Sequence, residues 1–107
     1  MRRGDFVTVA LQGDFGKPRP ALVIQSDRFD ALPTATVLPV TSSLIDAPLL
    51  RITVEPDERN GLTRPSQIMI DKVVTVRRDK LGETFGHASD ELLLAANRAL
   101  TVFLGIA

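Results

Sequence analysis

The 107-residue chain has no cysteine, no tryptophan and a single histidine, and its formal net charge is zero. Without cysteine it can form neither a disulfide nor a thiolate zinc site. One imidazole, that of His87, is too few for a metal site that needs two or three. We therefore expect no metal and no other cofactor. The zero net charge does not by itself point to a nucleic-acid partner.

Long apolar runs are also missing. No stretch approaches the ~20 apolar residues that cross a membrane. The N-terminal residues MRRGDFVTV are followed by no apolar run of signal-peptide length before Asp14. We expect a cytoplasmic chain without membrane contact. The length predicts a single domain over residues 1–107.

Short segments with β-strand character occupy most of the chain. Residues 20–26 form a continuous apolar run, which is typical of a strand buried on both faces. The others are 5–11, 34–41, 49–55, two within 66–78, and 82–87. Pro39 lacks an N–H, so it predicts a break, a bulge or an edge in the third strand. The pattern predicts a mainly β fold, a small barrel of about six to seven strands.

The pattern changes near the C-terminus. Residues 89–107 place apolar side chains at helical spacing. Ser89 is a suitable N-cap, Asp90 and Glu91 suit the positive end of the helix dipole, and Gly105 suits the helix end. A C-terminal helix is therefore predicted to close or flank the barrel.

The segment GKPRPALVIQSD places Arg19 between two prolines at the start of the apolar strand. Each proline pushes the residue before it, Lys17 or Arg19, towards an extended conformation. A guanidinium on such a stiff backbone suits bidentate binding of a phosphate. The alternative is a loop stiffened for stability, with Arg19 merely solvated.

Charge is unevenly distributed along the chain. Residues 61–82 contain five basic and two acidic residues, an excess of +3. The segment fits a basic groove that follows a nucleic-acid backbone, or simply a solvated strand edge. The candidates for backbone contact within it are Arg77, Arg78 and Lys80.

Four segments follow one another along the chain: RGDFVTVAL (3–11), GKPRPALVIQSD (16–27), VLPVTSS (37–43) and NGLTRPSQIMIDKVVTVRRDKLGETFGHASDEL (60–92). Together they resemble the MazF/PemK toxins of type II toxin–antitoxin systems over nearly the whole chain. The resemblance implies an SH3-like, homodimeric barrel of the fold shared with the DNA-gyrase poison CcdB. It also implies a metal-independent endoribonuclease that a cognate antitoxin holds inactive.

The resemblance further implies the site residues. The catalytic arginine of the Arg-Pro motif matches Arg19, and the catalytic threonine of the Pro-x-Thr motif matches Thr41. The candidate RNA contacts beside them are Phe15, Lys17, Ser42 and Ser43. Phe15 would stack on a base or, alternatively, pack on its own barrel. The loop before Lys17 is shorter than in many family members, so the substrate sequence cannot be carried over.

The implied reaction uses the 2′-OH of single-stranded RNA as its nucleophile and yields a 2′,3′-cyclic phosphate and a 5′-OH. His87 has a side chain suited to acid–base work, but its place before the helix cap is more typical of a structural histidine. Two alternatives remain. A gyrase poison of the CcdB type would have a Trp-Gly-Ile ending, whereas this chain ends in FLGIA. A small barrel that only binds partners is the other.

Overall fold

A computed structural model describes residues 1–11 and 17–106. The strands are β1 (Asp5–Ala10), β2 (Pro18–Val23), β3 (Thr34–Thr41), β4 (Arg51–Val54), β5 (Ser66–Met69), β6 (Val74–Arg77) and β7 (Leu81–His87). One helix, α1 (Asp90–Phe103), follows them, and short 3₁₀ turns lie at Asp27–Phe29, Ile70–Lys72 and Arg78–Lys80. The predicted mainly β fold with a C-terminal helix is confirmed, although β2 and β4 end earlier than predicted.

All strand pairs are antiparallel, in the order β4-β5-β3-β2-β1-β7, with β6 also on β3. β3 changes partner along one edge. Residues Thr34 to Val37 pair with β6, whereas Val40 and Thr41 pair with β5. Pro39 lies between these two ladders, where no N–H is needed on that edge. A strand shared in this way turns the corner between two sheets and lets them curl into a barrel.

The core has two layers because the central strands are buried on both faces. Phe6, Leu22 and Leu38 belong to one apolar cluster, and α1 adds Ala96 to it. The second cluster holds the alternate residues of the same strands, among them Val7 and Val37. The continuous apolar run of β2 is explained by this arrangement, since its successive side chains enter different clusters.

Both ends of α1 have regular caps. Ser89 Oγ accepts a hydrogen bond from the Leu92 N–H at 3.1 Å, as expected of an N-cap. At the other end Gly105 has φ +72°, and the Ile106 N–H donates to the Thr101 carbonyl at 2.9 Å. This is a Schellman motif, and it confirms the prediction that Gly105 ends the helix. In the described part of the chain no helix is long and apolar enough to cross a membrane.

Candidate active-site groove

A groove of about 660 Å³ lies where β2 begins and β3 ends. Arg19, Thr41 and Ser42, three of the residues predicted to serve the site, line it. Its other lining side chains come from β1, β5, β7 and the loop that precedes β5. Three further parts of the chain, namely β1, β7 and the loop that continues into β5, therefore converge on the two residues that the Arg-Pro and Pro-x-Thr motifs identified.

The strand register brings Arg19 and Thr41 to the same end of the barrel. β2 pairs with β1 so that Arg19 faces Val9, and with β3 so that Ala21 faces Pro39. Arg19 and Thr41 each lie two residues from this last pair. Arg19 is exposed and Thr41 is half-buried, and both line the groove.

The Thr41 hydroxyl is oriented by the backbone that follows it. The Ser43 N–H donates to Thr41 Oγ1 at 3.0 Å. The Ser43 carbonyl in turn accepts from Arg51 Nη1 at 3.2 Å, and Arg51 Nη1 also donates to Gln67 Oε1 at 3.1 Å. Because Thr41 Oγ1 is used here as an acceptor, its own hydrogen remains available to donate to a ligand.

The loop before β5 forms one wall of the groove, and the sequence analysis did not predict this role. Gly61, Leu62, Thr63 and Arg64 all line the groove. The buried Asn60 holds the loop: its Nδ2 donates to the Glu55 carbonyl at 2.9 Å, and its Oδ1 accepts from the Leu62 N–H at 3.0 Å. The dipeptide Arg64-Pro65 repeats the Arg19-Pro20 arrangement. This repeat was the feature of the sequence that could have pointed to the loop as part of the site.

The groove is cationic and rich in hydroxyl groups. Arg19 and Arg64 are the charged side chains among its described lining residues, which include no carboxylate. Five hydroxyls accompany them, from Thr8, Thr41, Ser42, Thr63 and Ser66. Two guanidinium groups accompanied by several neutral hydrogen-bond donors suit a polyanionic ligand such as a phosphodiester chain.

The other predicted contacts that the structure describes do not line this groove. Lys17 is exposed beside the start of β2, and Ser43 contributes its backbone N–H to Thr41. Arg77 pairs with Thr34 at the other end of β3 and forms an ion pair with Asp79. Phe15 falls outside the described residues.

Arg78 and Lys80 are also placed away from the groove lining. The Arg78 Nε donates to the Leu32 carbonyl at 2.6 Å, and its Nη2 donates to the Phe29 carbonyl at 3.5 Å. Lys80 is exposed at the end of a 3₁₀ turn. Of the basic segment 61–82, Arg64 is therefore the member that reaches the groove.

His87 lies at the far end of β1 from Arg19. Its Nδ1 is 2.7 Å from Asp5 Oδ1, and Asp5 is buried and also accepts the Arg2 N–H at 2.8 Å. The histidine thus belongs to a contact that ties β7 to the start of β1. Across residues 1–11 and 17–106, no cluster of three or more potential metal ligands occurs.

A small antiparallel barrel with a C-terminal helix, carrying an arginine and a threonine at neighbouring strand ends, defines the class of this protein. Residues 2–104 match the family described as PemK-like, MazF-like toxin of type II toxin-antitoxin system. The chain belongs to this family, as the ordered motifs of its sequence predicted.

Two relatives match this chain over nearly its full length. A probable endoribonuclease MazF of Mycolicibacterium smegmatis is 53% identical over 100% of this chain and 99% of its own. Endoribonuclease EndoA of Bacillus subtilis is 30% identical over 99% of this chain and 96% of its own.

Solved structures agree on the fold. A mycobacterial endoribonuclease, solved in complex with its cognate antitoxin, superimposes with a TM-score of 0.83. It is 20% identical, and the match covers 100% of this chain and 97% of the other. MazF in a MazE–MazF structure from Deinococcus radiodurans gives a TM-score of 0.82 at 22% identity, covering 100% and 97% of the two chains.

Proposed function

We propose that this toxin is an endoribonuclease that cleaves single-stranded RNA in the groove between Arg19 and Thr41. The observation that carries the proposal is that these two side chains, from the neighbouring ends of β2 and β3, line one groove. Two full-length relatives with the name endoribonuclease support the activity. Family membership and the absence of tryptophan favour it over the gyrase-poison alternative.

In the proposed reaction the ribose 2′-oxygen attacks the adjacent phosphorus and the bond to the 5′-oxygen breaks. The Arg19 guanidinium stabilises the negative charge that develops on the non-bridging oxygens. The Thr41 hydroxyl donates a hydrogen bond to the same phosphate. The products are a 2′,3′-cyclic phosphate and a 5′-OH.

The proton transfers are assigned to water. Arginine stays protonated and is a poor general base. The described lining of the groove contains neither a carboxylate nor an imidazole. The 2′-OH therefore loses its proton to solvent, and the departing 5′-oxygen takes one from solvent. A general acid or base is worth roughly 10²–10⁴-fold in rate, so this scheme predicts a modest turnover.

The proposal includes two protein partners and a cytoplasmic location. A second copy of the chain would form the homodimer, and a cognate antitoxin with an acidic segment would occupy the cationic groove. Large apolar side chains that remain exposed on the monomer support a protein interface. They include Leu49 (77% exposed), Val102 (63%) and Ile106 (74%). Light scattering of the purified chain and titration with the product of the adjacent gene test these two partners.

The experiment that tests the activity is incubation of the purified protein with a long RNA in EDTA, beside the variant Arg19→Ala. We expect fragments with 5′-OH ends from the unmodified protein and loss of roughly 10²–10³-fold in rate for the variant. Gyrase is absent from this assay. An intact RNA with both proteins, while the unmodified protein stays toxic in cells, would contradict the proposal.

A further inference from the structure

The chain contains two Arg-Pro dipeptides that each lead into a strand, and both arginines line the same groove. Arg19 precedes Pro20 within the start of β2, and Arg64 precedes Pro65 just before β5. A following proline restricts each arginine to an extended backbone. The side chain of Arg64 thus starts from a fixed point, as that of Arg19 does.

The backbone of Arg64 is held from both sides. The Ser66 Oγ–H donates to the Arg64 carbonyl at 2.9 Å, and Ser66 itself is buried. On the other side, the buried Asn60 accepts the Asp57 N–H at 3.1 Å in addition to its bonds with Glu55 and Leu62. The loop therefore has little freedom to move Arg64 out of the groove.

The guanidinium of Arg64 is exposed, and it forms no hydrogen bond or ion pair within residues 1–11 and 17–106. By contrast, Arg77 has an ion pair with Asp79, and Arg78 donates to backbone carbonyls. A cation that lines a groove, is fixed at its backbone and has no partner among the described residues is suited to bind an anionic ligand.

Topology places the two arginines on opposite sides of Thr41. β2 and β5 are the two neighbours of β3 at its C-terminal end, and Thr41 faces Gln67 of β5. Arg19 lies on the β2 side, two residues before the Ala21–Pro39 pair, and Arg64 lies on the β5 side, three residues before Gln67. An RNA strand that crosses the groove at Thr41 would pass one arginine on each side.

We infer that Arg64 binds a second phosphate of the RNA backbone, next to the phosphate that Arg19 and Thr41 hold for cleavage. This inference rests on the proposed function. Arg64 fixes the path of the RNA strand across the groove, so it contributes to substrate binding. Arg64 contacts a phosphate whose charge does not change during the reaction. It therefore stabilises the bound substrate and the transition state equally. Its loss should therefore raise KM and leave kcat nearly unchanged.

The test compares Arg64→Ala, Arg64→Lys and the control Arg28→Ala on a short single-stranded RNA that contains one cleavage site. Arg28 is exposed at the other end of β2, in the 3₁₀ turn Asp27–Phe29. Arg28→Ala changes the net charge by the same amount as Arg64→Ala, but Arg28 does not line the groove. We expect Arg64→Ala to raise KM about tenfold, the effect of one lost charge-assisted hydrogen-bond pair.

Two further measurements identify the contact as a phosphate. The slope of log KM against log salt should fall by about 0.7 in Arg64→Ala, the value for one phosphate of a single strand. It should keep its original value in Arg64→Lys. Replacing each phosphate in turn by an uncharged methylphosphonate should weaken the binding of the unmodified protein at one position beside the cleavage site. Arg64→Ala should be insensitive to that replacement.

Three outcomes would overturn the inference. In the first, Arg64→Ala behaves like Arg28→Ala in KM and in salt slope. In the second, kcat falls as far as in Arg19→Ala, which would place Arg64 at the scissile phosphate. In the third, no methylphosphonate position loses its effect in the variant.

A separate measurement distinguishes failure of the proposed function. If the unmodified protein cleaves no RNA, the same proteins are titrated with a 2′-O-methyl version of the oligonucleotide, followed by fluorescence anisotropy. Weaker binding and a smaller salt slope for Arg64→Ala would then support the phosphate contact without the enzymatic activity. Equal binding of the oligonucleotide by Arg64→Ala and Arg28→Ala would overturn the phosphate contact as well as the proposed function.

Discussion

Arg19 at the start of β2 and Thr41 at the end of β3 line the same groove, although 21 residues separate them in the chain. The last pair between these strands, Ala21 with Pro39, lies two residues from each of them, so the pairing brings both to the same end of the barrel. A guanidinium and a hydroxyl that line one groove can bind one phosphate together. Their geometry is set by sheet pairing, so neither side chain depends on a mobile loop for its place.

The Thr41 hydroxyl itself, and not the shape of the side chain, is expected to matter for cleavage. Thr41→Val retains the branched shape but loses the oxygen that accepts the Ser43 N–H and donates to the phosphate. We expect kcat to fall by roughly 10²-fold in Thr41→Val and by less than about tenfold in Thr41→Ser. Single-turnover cleavage measures this, with thermal unfolding as the check on folding. Equal rates for the two variants would contradict it.

Arg51 is expected to act as a positioning residue for Thr41. Its Nη1 holds the Ser43 carbonyl and Gln67 Oε1, and the Ser43 N–H in turn orients Thr41. We expect Arg51→Ala to lower kcat about tenfold with little change in KM, because misplacement of a group that contacts the phosphate affects mainly the transition state.

A structural readout accompanies the kinetics of Arg51→Ala. The Ser43 amide should exchange its hydrogen faster in the variant, and Arg51→Lys should restore part of the rate. Arg28→Ala serves as the control for loss of one exposed positive charge. Normal exchange at Ser43 together with a normal kcat would show that Arg51 has no such role.

Gly61 is expected to be essential for the loop that carries Arg64. Its φ is +68°, and a Cβ there would lie 2.3 Å from the Phe85 carbonyl oxygen, so backbone would have to shift. Gly105 is the matched control, with φ +72° and nothing within 4 Å of the corresponding position. Gly105→Ala should lower the free energy of unfolding by about 1–2 kcal/mol through the left-handed conformation alone.

Gly61→Ala should cost at least about 1 kcal/mol more than Gly105→Ala, since the contact adds to the conformational strain. For a domain of this size, each kcal/mol lowers Tm by about 4–8 °C. Urea unfolding and calorimetry measure the difference. Similar Tm values for the two variants would mean that the Phe85 carbonyl moves aside freely.

His87 is expected to be dispensable for the chemistry. It contacts Asp5 at the far end of β1 and does not line the groove. His87→Gln should cleave RNA within about twofold of the unmodified rate, since it removes no group near the phosphate. Its pH–rate profile should keep the original shape. A large loss of kcat together with a changed profile would assign an acid–base role to this imidazole.

Much of the fold was predictable because the chain's local signals agree with one another. The apolar run of β2, the N-cap Ser89 and the Pro39 break each correspond to an observed feature. Element ends were less predictable. β2 spans Pro18–Val23, whereas residues 20–26 were predicted, although Gly105 ends the helix as predicted, through a Schellman motif.

The sequence by itself determined the barrel class, the stiff backbone under Arg19 and the motif that identifies Thr41. The first two follow from the period of apolar residues and from proline stereochemistry, which are local properties, and the third follows from the resemblance to the MazF/PemK toxins. Only the tertiary structure decided which cations share the groove. Arg77 and Arg78, not Arg64, were the contacts predicted from the sequence, but strand pairing and backbone carbonyls hold them elsewhere. Arg64 reaches the groove because β5 pairs with the end of β3, a contact between segments distant in the chain.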